Sequence, residues 1–333
     1  MHPASFRSPQ FIVHAVILGL ILIGNLLVIY LYFADRRLRK TVNMFIISLA
    51  FCDLLIALVF IPCRELFPHP IEEVVPFDIT GYIASITTIG SLLNLAALTY
   101  DRFVAVFYSL RYHAIMTNNT VRVLMAGVWV TDLIVTLLPL SWKFVVSEEE
   151  DVVYLHIYQT ILIIVVTIIH GLIIAVYVRI FKANRRHLGS QRKYTCHLRS
   201  IAVAGLRLTE PVQEAVPEKQ VKCCCLPKHL GNVFIGRLHQ SRALSVEMKA
   251  AKVVLLLFLL NTICWLPIVV LNTMYLVSWY RNQPQVPVLF QQISSYSFLA
   301  YSVVNPWIYA LKKEDFRASF KRLVYSKLCR SSL

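Results

Sequence analysis

The sequence predicts an all-α fold: a seven-transmembrane helix bundle followed by a short amphipathic helix at the membrane surface. Three observations predict it. Hydrophobic residues fill 57% of the 333 positions and charged residues only 15%, where a soluble domain carries nearer a quarter charged. Apolar runs long enough to cross about 30 Å of hydrocarbon recur seven times, over 11–33, 43–66, 77–107, 121–142, 153–181, 249–277 and 286–310. The basic residues are also segregated. Numbering the runs in order, the N-terminus and the 2–3, 4–5 and 6–7 loops hold only Arg7, Arg64, Lys143 and Arg281 of the 33 Lys and Arg. The other side is therefore expected to be cytoplasmic. A β-barrel does not fit, because the runs are continuously apolar and lack two-residue alternation.

The predicted organisation is a short extracellular N-terminus (1–10), a membrane domain (11–310) and a cytoplasmic amphipathic helix and tail (311–333). Phe11–Phe33 is too long for a signal-peptide core and reads as a retained signal-anchor. The net charge of +15 is a topology signal that suits an anionic leaflet or an acidic protein partner. It does not suggest nucleic acid, because the basic residues are spread over loops between spans. Of the eight cysteines, only Cys63 approaches the oxidising face, so no disulfide is expected.

The first span carries Gly24-Asn25, a pair read as an interhelical hydrogen-bond site. The second places Asp53 deep in hydrocarbon, the one carboxylate expected there, which must be paired, solvated or protonated. The third ends at Asp101-Arg102. Arg102 either snorkels to the headgroups or serves a switch. The 4–5 loop is short and acidic, Glu148-Glu149-Glu150-Asp151. Residues 183–246 read as a mostly flexible cytoplasmic loop with helical extensions at both ends, and its Cys223-Cys224-Cys225 as an acylation candidate. Span six contains Cys264-Trp265-Leu266-Pro267 and span seven Asn305-Pro306, two prolyl breaks. Beyond them Phe316, Phe320 and Leu323 share one helical face, as in a helix lying on a membrane, and Cys329 is a palmitoylation candidate.

In this order and spacing the motifs resemble the rhodopsin-like (class A) G-protein-coupled receptors: Gly-Asn in span one, Leu-Ala-x-x-Asp in two, Asp-Arg-Phe for the family's Asp-Arg-Tyr in three, and Trp129 in four. Tyr177 in five, Cys-Trp-Leu-Pro in six and Asn-Pro-x-x-Tyr in seven complete the set. The resemblance implies a plasma-membrane receptor that is no enzyme, coupling an extracellular ligand to heterotrimeric G proteins and then to arrestin and receptor kinases. It implies an ionic lock of Asp101, Arg102 and Glu247, with Tyr177 and Tyr309 turning inward on activation. Trp265, Pro267, Asn305 and Pro306 would be the activation switch. Asp53, Ser91, Ser302 and Asn305 would hold an allosteric sodium ion, the hard-oxygen set that such a cation prefers.

Within the family, Asp101 to Thr117 looks like the melanocortin receptors, whereas Ser302 to Ala310, Tyr177 to Phe181 and Asn272 look like the adenosine receptors. Both belong to a cluster with cannabinoid and lysophospholipid receptors. Phe77 replaces the cysteine that most of the family bridges to the 4–5 loop. Ala84 replaces the amine-pairing Asp of aminergic receptors, and Leu299 both the retinal lysine of opsins and the span-seven His of adenosine receptors. The implied pocket is Ala84, Ser85, Thr88, Ile161, Val165, Trp265, Val269, Asn272, Ser295 and Tyr296. It is mostly apolar with neutral polar groups, and suits a small neutral or lipid-like ligand, with a purine-like compound or a peptide as the alternatives. The acidic outer face would suit a cationic peptide, or is simply solvated. A seven-helix transporter is the alternative from another class, disfavoured by the lack of an inverted repeat; an orphan or constitutively active receptor is the nearer one.

Overall fold

The computed structural model describes residues 9–66, 79–207, 228–281 and 287–330, and among them every regular element is helical. Among the described residues eight long helices follow one another. They are α1 (Pro9–Ala34), α2 (Thr41–Leu55), α3 (Ile79–Phe107), α4 (Asn118–Leu137), α5 (Glu148–Arg207), α6 (Lys228–Arg281), α7 (Val288–Lys312) and α8 (Glu314–Arg330). Beyond Leu55, α2 widens into π-helical turns over Ile56–Leu66, around Pro62, where the missing prolyl N–H already interrupts the i→i−4 ladder. Among the described residues six helices are long and apolar enough to cross a membrane by length and composition. α7 is as long, but Gln291, Gln292, Ser294, Ser295, Ser297 and Ser302 dilute its apolar run.

The helix starts follow local chemistry. The side chain of Thr117 caps α4 by accepting from the Thr120 amide at 3.2 Å. Ser147 and Glu150 form a reciprocal capping box: Ser147 N–H donates to Glu150 Oε2 at 3.1 Å, and Glu150 N–H donates to Ser147 Oγ at 3.4 Å. The acidic run expected in the 4–5 loop is thus the first turn of α5, where carboxylates complement the helix dipole. Those bonds also hold the Glu150 carboxyl below its usual range.

The chain divides into two compact units. The larger takes in α1–α4, α5 as far as Ile173, α6 from Ala250, α7 and α8. Within it α3 packs on α2 and α4, α1 packs on α2 and α7, and α8 packs on α7 and α1. One core cluster joins Ile21, Ile56, Ala57, Phe60, Ile61, Trp265, Phe298 and Leu299. Gly24 is required where α1 meets α7, because a Cβ there would lie 2.8 Å from Pro306 Cγ. The smaller unit, Ile174–Lys249, is helical over 174–207 and 228–249. Within the segment 183–246, helix continues from both ends as expected, over 183–207 and 228–246. Cys223-Cys224-Cys225 lies outside the described residues.

α8 is seated differently from the expectation. Phe316 does not face lipid: it is buried, with its ring 6.2 Å from that of Tyr309. Polar groups complete the seat. Ser319 Oγ donates to Asp35 Oδ2 at 2.6 Å, and Arg322 Nη2 donates to the same oxygen at 2.5 Å. These bonds pull the Asp35 carboxyl down to about 2. Lys313 Nζ donates to Asn43 Oδ1, lies 3.9 Å from Asp315 Oδ2 and sits 5.2 Å from the centre of the Phe316 ring. Burial lowers its ammonium to about 8 despite the nearby carboxylate. Cys329 falls in the last turns of α8, and its side chain lies outside the described residues.

Candidate functional site

Where α3 leaves the bundle, Arg102 folds back on its neighbour. Its Nε and Nη2 both donate to Asp101 Oδ2, at 2.9 and 2.5 Å. Asp101 is 0% and Arg102 6% exposed, so Arg102 is not snorkelling to headgroups in this conformation. A buried ion pair is tolerable only when its remaining lone pairs are satisfied, and a residue the motif reading overlooked does this. After α3 the chain makes a turn over Ser109–Arg111 and a helical turn over Tyr112–Ile115. This returns the Tyr112 hydroxyl to donate to Asp101 Oδ1 at 2.8 Å. Burial and the Asp101 charge push the Tyr112 phenol up. The same turn leaves Leu110 fully exposed. The signal in the sequence was a lone leucine between Ser109 and Arg111, too common to stand out.

A polar seam runs along α7. Asn305 Nδ2 donates to Asp53 Oδ2 at 3.1 Å. Asp53 Oδ1, Ser302 Oγ and Asn305 Oδ1 are buried without a hydrogen-bond partner, and Ser91 is buried too. Asn25 Nδ2 donates to the carbonyls of Ile21 at 3.0 Å and Ser302 at 3.3 Å. Trp129 Nε1 donates to Ser48 Oγ at 3.0 Å, joining α4 to α2. Tyr309 is buried at the end of the seam.

Nearer the other end, Trp265 stands edge-on to Phe298, with ring centres 5.2 Å apart, and Phe298 in turn meets Phe60 at 5.4 Å. Ser294 Oγ donates to the Pro267 carbonyl at 3.2 Å, tying α7 to α6 at its proline. Of the expected pocket residues, Ala84, Ser85, Thr88, Val269, Ser295 and Tyr296 are half-buried, whereas Ile161, Val165 and Asn272 are exposed. The Thr88 hydroxyl donates to the Ala84 carbonyl of its own helix, which leaves only its acceptor lone pairs to a ligand. His14, not singled out from the sequence, stacks on Tyr296 with ring centres 5.3 Å apart. A histidine on an apolar helix carries no signal of what it will face.

Tyr177 and Glu247 belong to the smaller unit. There Tyr177 is buried with its ring 6.5 Å from Phe181, and Glu247 is half-buried. One expectation is corrected within the larger unit: Asp53 is not the only carboxylate deep in the bundle. Asp132 on α4 is 0% exposed. It lies three residues after Trp129 and belongs to none of the motifs that mark the other spans.

A bundle of apolar helices with a buried Asp-Arg pair at the end of the third is the architecture of a seven-helix receptor. The family model "7 transmembrane receptor (rhodopsin family)" matches residues 24–309, and the chain belongs to that family. Such proteins are membrane receptors and not enzymes. The chain is 26% identical to an alpha-1A adrenergic receptor of Oryzias latipes, over 94% of this chain and 67% of that one. It is 25% identical to the adenosine receptor A2a of Homo sapiens, over 98% and 75%, and 24% identical to opsin-2 of Schistocerca gregaria, over 90% and 73%. Relatives of three different kinds stand at nearly one identity, so they give the family and no branch within it.

Proposed function

We propose that this receptor takes up a small neutral or lipid-like ligand from the extracellular side and activates heterotrimeric G proteins at its basic, cytoplasmic face. The buried Asp101–Arg102 pair carries the reading. An arginine stored on a carboxylate at a helix end can be released to an acidic or carbonyl-rich partner when that end opens. Leu110, fully exposed two residues before Tyr112, offers an apolar anchor for the same partner. Arrestin and receptor kinases would follow on that face, as they do for the family. The half-buried set around Ala84, Ser85, Val269, Ser295 and Tyr296 is mostly apolar with neutral hydroxyls, and no charge among these residues would pair an amine.

We also propose sodium as an allosteric ligand. Asp53, Ser302 and Asn305 each leave a buried oxygen without a hydrogen-bond partner, and Ser91 is buried as well. One carboxylate with neutral oxygens suits a monovalent hard cation, while no cluster of three or more His, Cys, Asp or Glu exists among the described residues for a transition metal.

The test is nucleotide exchange on a panel of purified G proteins, with the receptor in lipid nanodiscs, screened against purines, lysophospholipids and melanocortin-like peptides. A neutral or lipid-like compound that accelerates exchange several-fold supports the reading. Activation only by cationic peptides would replace its ligand half. Absence of exchange on every G protein, with and without every compound, would remove its coupling half.

A further inference from the structure

We propose that Asp132 is a proton-binding site: a carboxylic acid buried between α2, α3 and α4 that carries its proton in the described conformation. The side chain is wholly buried. Its Oδ1 has one weak neighbour, Thr136 Oγ1 at 3.5 Å, and its Oδ2 has no hydrogen-bond partner. Oδ2 is pressed against α3 at Gly90, where a Cβ would lie 2.7 Å from Oδ2 and 3.3 Å from Cys52 Sγ on α2. The absence of a side chain at Gly90 is therefore what gives this carboxyl its place.

The groups that face it offer no positive charge. α2 presents Cys52, next to Asp53, and both Asp53 and Asp132 lie within electrostatic reach of that thiol. α5 presents Tyr158, whose hydroxyl is spent on the Val135 carbonyl at 2.9 Å. α3 presents Gly90, and α4 itself presents Thr136. No Lys, Arg or His among the described residues pairs with Asp132.

An ionised carboxylate without a counter-charge is strongly disfavoured in such surroundings. Three occupants could relieve it: a metal cation, a cluster of water, or a proton. A cation of the sodium or calcium kind needs about six oxygens, and this site supplies a carboxyl and one distant hydroxyl. Water would have to enter where Gly90 already lets the carboxyl meet the α3 backbone. A proton needs one oxygen, and Oδ2 is free to take it. Loss of that proton would put a negative charge into the contact of three helices, beside Cys52 and one residue from Asp53.

The experiment is infrared spectroscopy of the full-length receptor in lipid nanodiscs at neutral pH, in H2O and D2O, and it does not depend on ligand or G-protein coupling. The expected result is a carboxylic-acid C=O band that shifts to lower frequency in D2O, is lost in Asp132→Asn and persists in Asp53→Asn. Gly90→Ala, which displaces Oδ2, is expected to shift the frequency of the same band. A wild-type receptor with no protonated-acid band overturns the proposal. So does a band that survives unchanged in Asp132→Asn, or one that vanishes only in Asp53→Asn.

Discussion

Asn25 on α1 donates its side-chain amide to the carbonyl of Ser302 on α7. That carbonyl is the acceptor Pro306 strands, four residues on, because proline has no N–H to complete the helical bond. The break in α7 is thus repaired from another helix. Gly24, the neighbour of Asn25, lets the Pro306 ring come close enough for the repair.

Both residues should therefore be needed for stability. Asn25→Ala leaves the Ser302 carbonyl unsatisfied and should cost about 1–3 kcal/mol. Gly24→Ala drives a methyl group into Pro306 and should cost a similar amount. Thermal unfolding of the purified receptor checks both, and because the two changes act on one contact their effects should be less than additive.

Tyr112→Phe removes the hydroxyl that satisfies Asp101 Oδ1. It should lower stability by about 1 kcal/mol and raise basal nucleotide exchange by loosening the resting Asp101–Arg102 pair. Arg102→Ala should abolish exchange at equal surface expression. The lock with Glu247 expected from the sequence is tested by Glu247→Gln, for which unchanged basal exchange would count against it.

Sodium binding should appear as stabilisation by mass action. Sodium chloride should raise the melting temperature above that in equimolar choline chloride, and Asp53→Asn should erase the difference. Equal melting in both salts for the wild type would sink the sodium site.

The seat of α8 should respond to alkali. Lys313 titrates near 8 when folded, against an ordinary lysine value of 10.5. Between those values the folded state binds fewer protons than the unfolded, so stability rises with pH across that window. Hydrogen exchange of the 314–322 amides should slow from pH 8 to 10, after correction for intrinsic rates, and Lys313→Met should flatten the trend. Asp35 works in the other sense. Its depressed value adds stability that is complete above the ordinary carboxylate range and is lost as pH falls toward 2. At neutral pH, Asp35→Asn should therefore speed exchange in α8.

Membrane insertion, helix number and the motif residues are legible in the sequence because each is a property of a run or of a local spacing. Hydrocarbon demands about 20 apolar residues in a row, and proline breaks its helix wherever the chain folds. Asp101, Arg102, Asp53 and Asn305 were visible because charged and amide groups are conspicuous among apolar neighbours. Tyr112, His14 and Asp35 were not, and Asp132, as conspicuous in its apolar helix as Asp53, belongs to none of the motifs. Tyr112 matters only because the chain turns back after α3, and Asp35 only because α8 passes beneath α1. Phe316 and Phe320 share one face of their helix, yet Phe316 is buried against Tyr309 while Phe320 stays exposed. Periodicity says which side chains share a face and not what the face will cover.

The sequence by itself determined that this protein is a bundle of membrane helices of the rhodopsin family, since hydrophobic length and motif order do not depend on partners. Tertiary structure alone decided which oxygens are left over. The Asn25 side-chain N–H is spent on Ser302 and the Tyr112 hydroxyl on Asp101, while Asn25, Asp53, Ser302 and Asp132 each keep an unpaired buried oxygen. Hydrogen-bond satisfaction is a relation between helices distant in sequence, and the atoms it leaves over are where an ion, a proton or a ligand has something to bind.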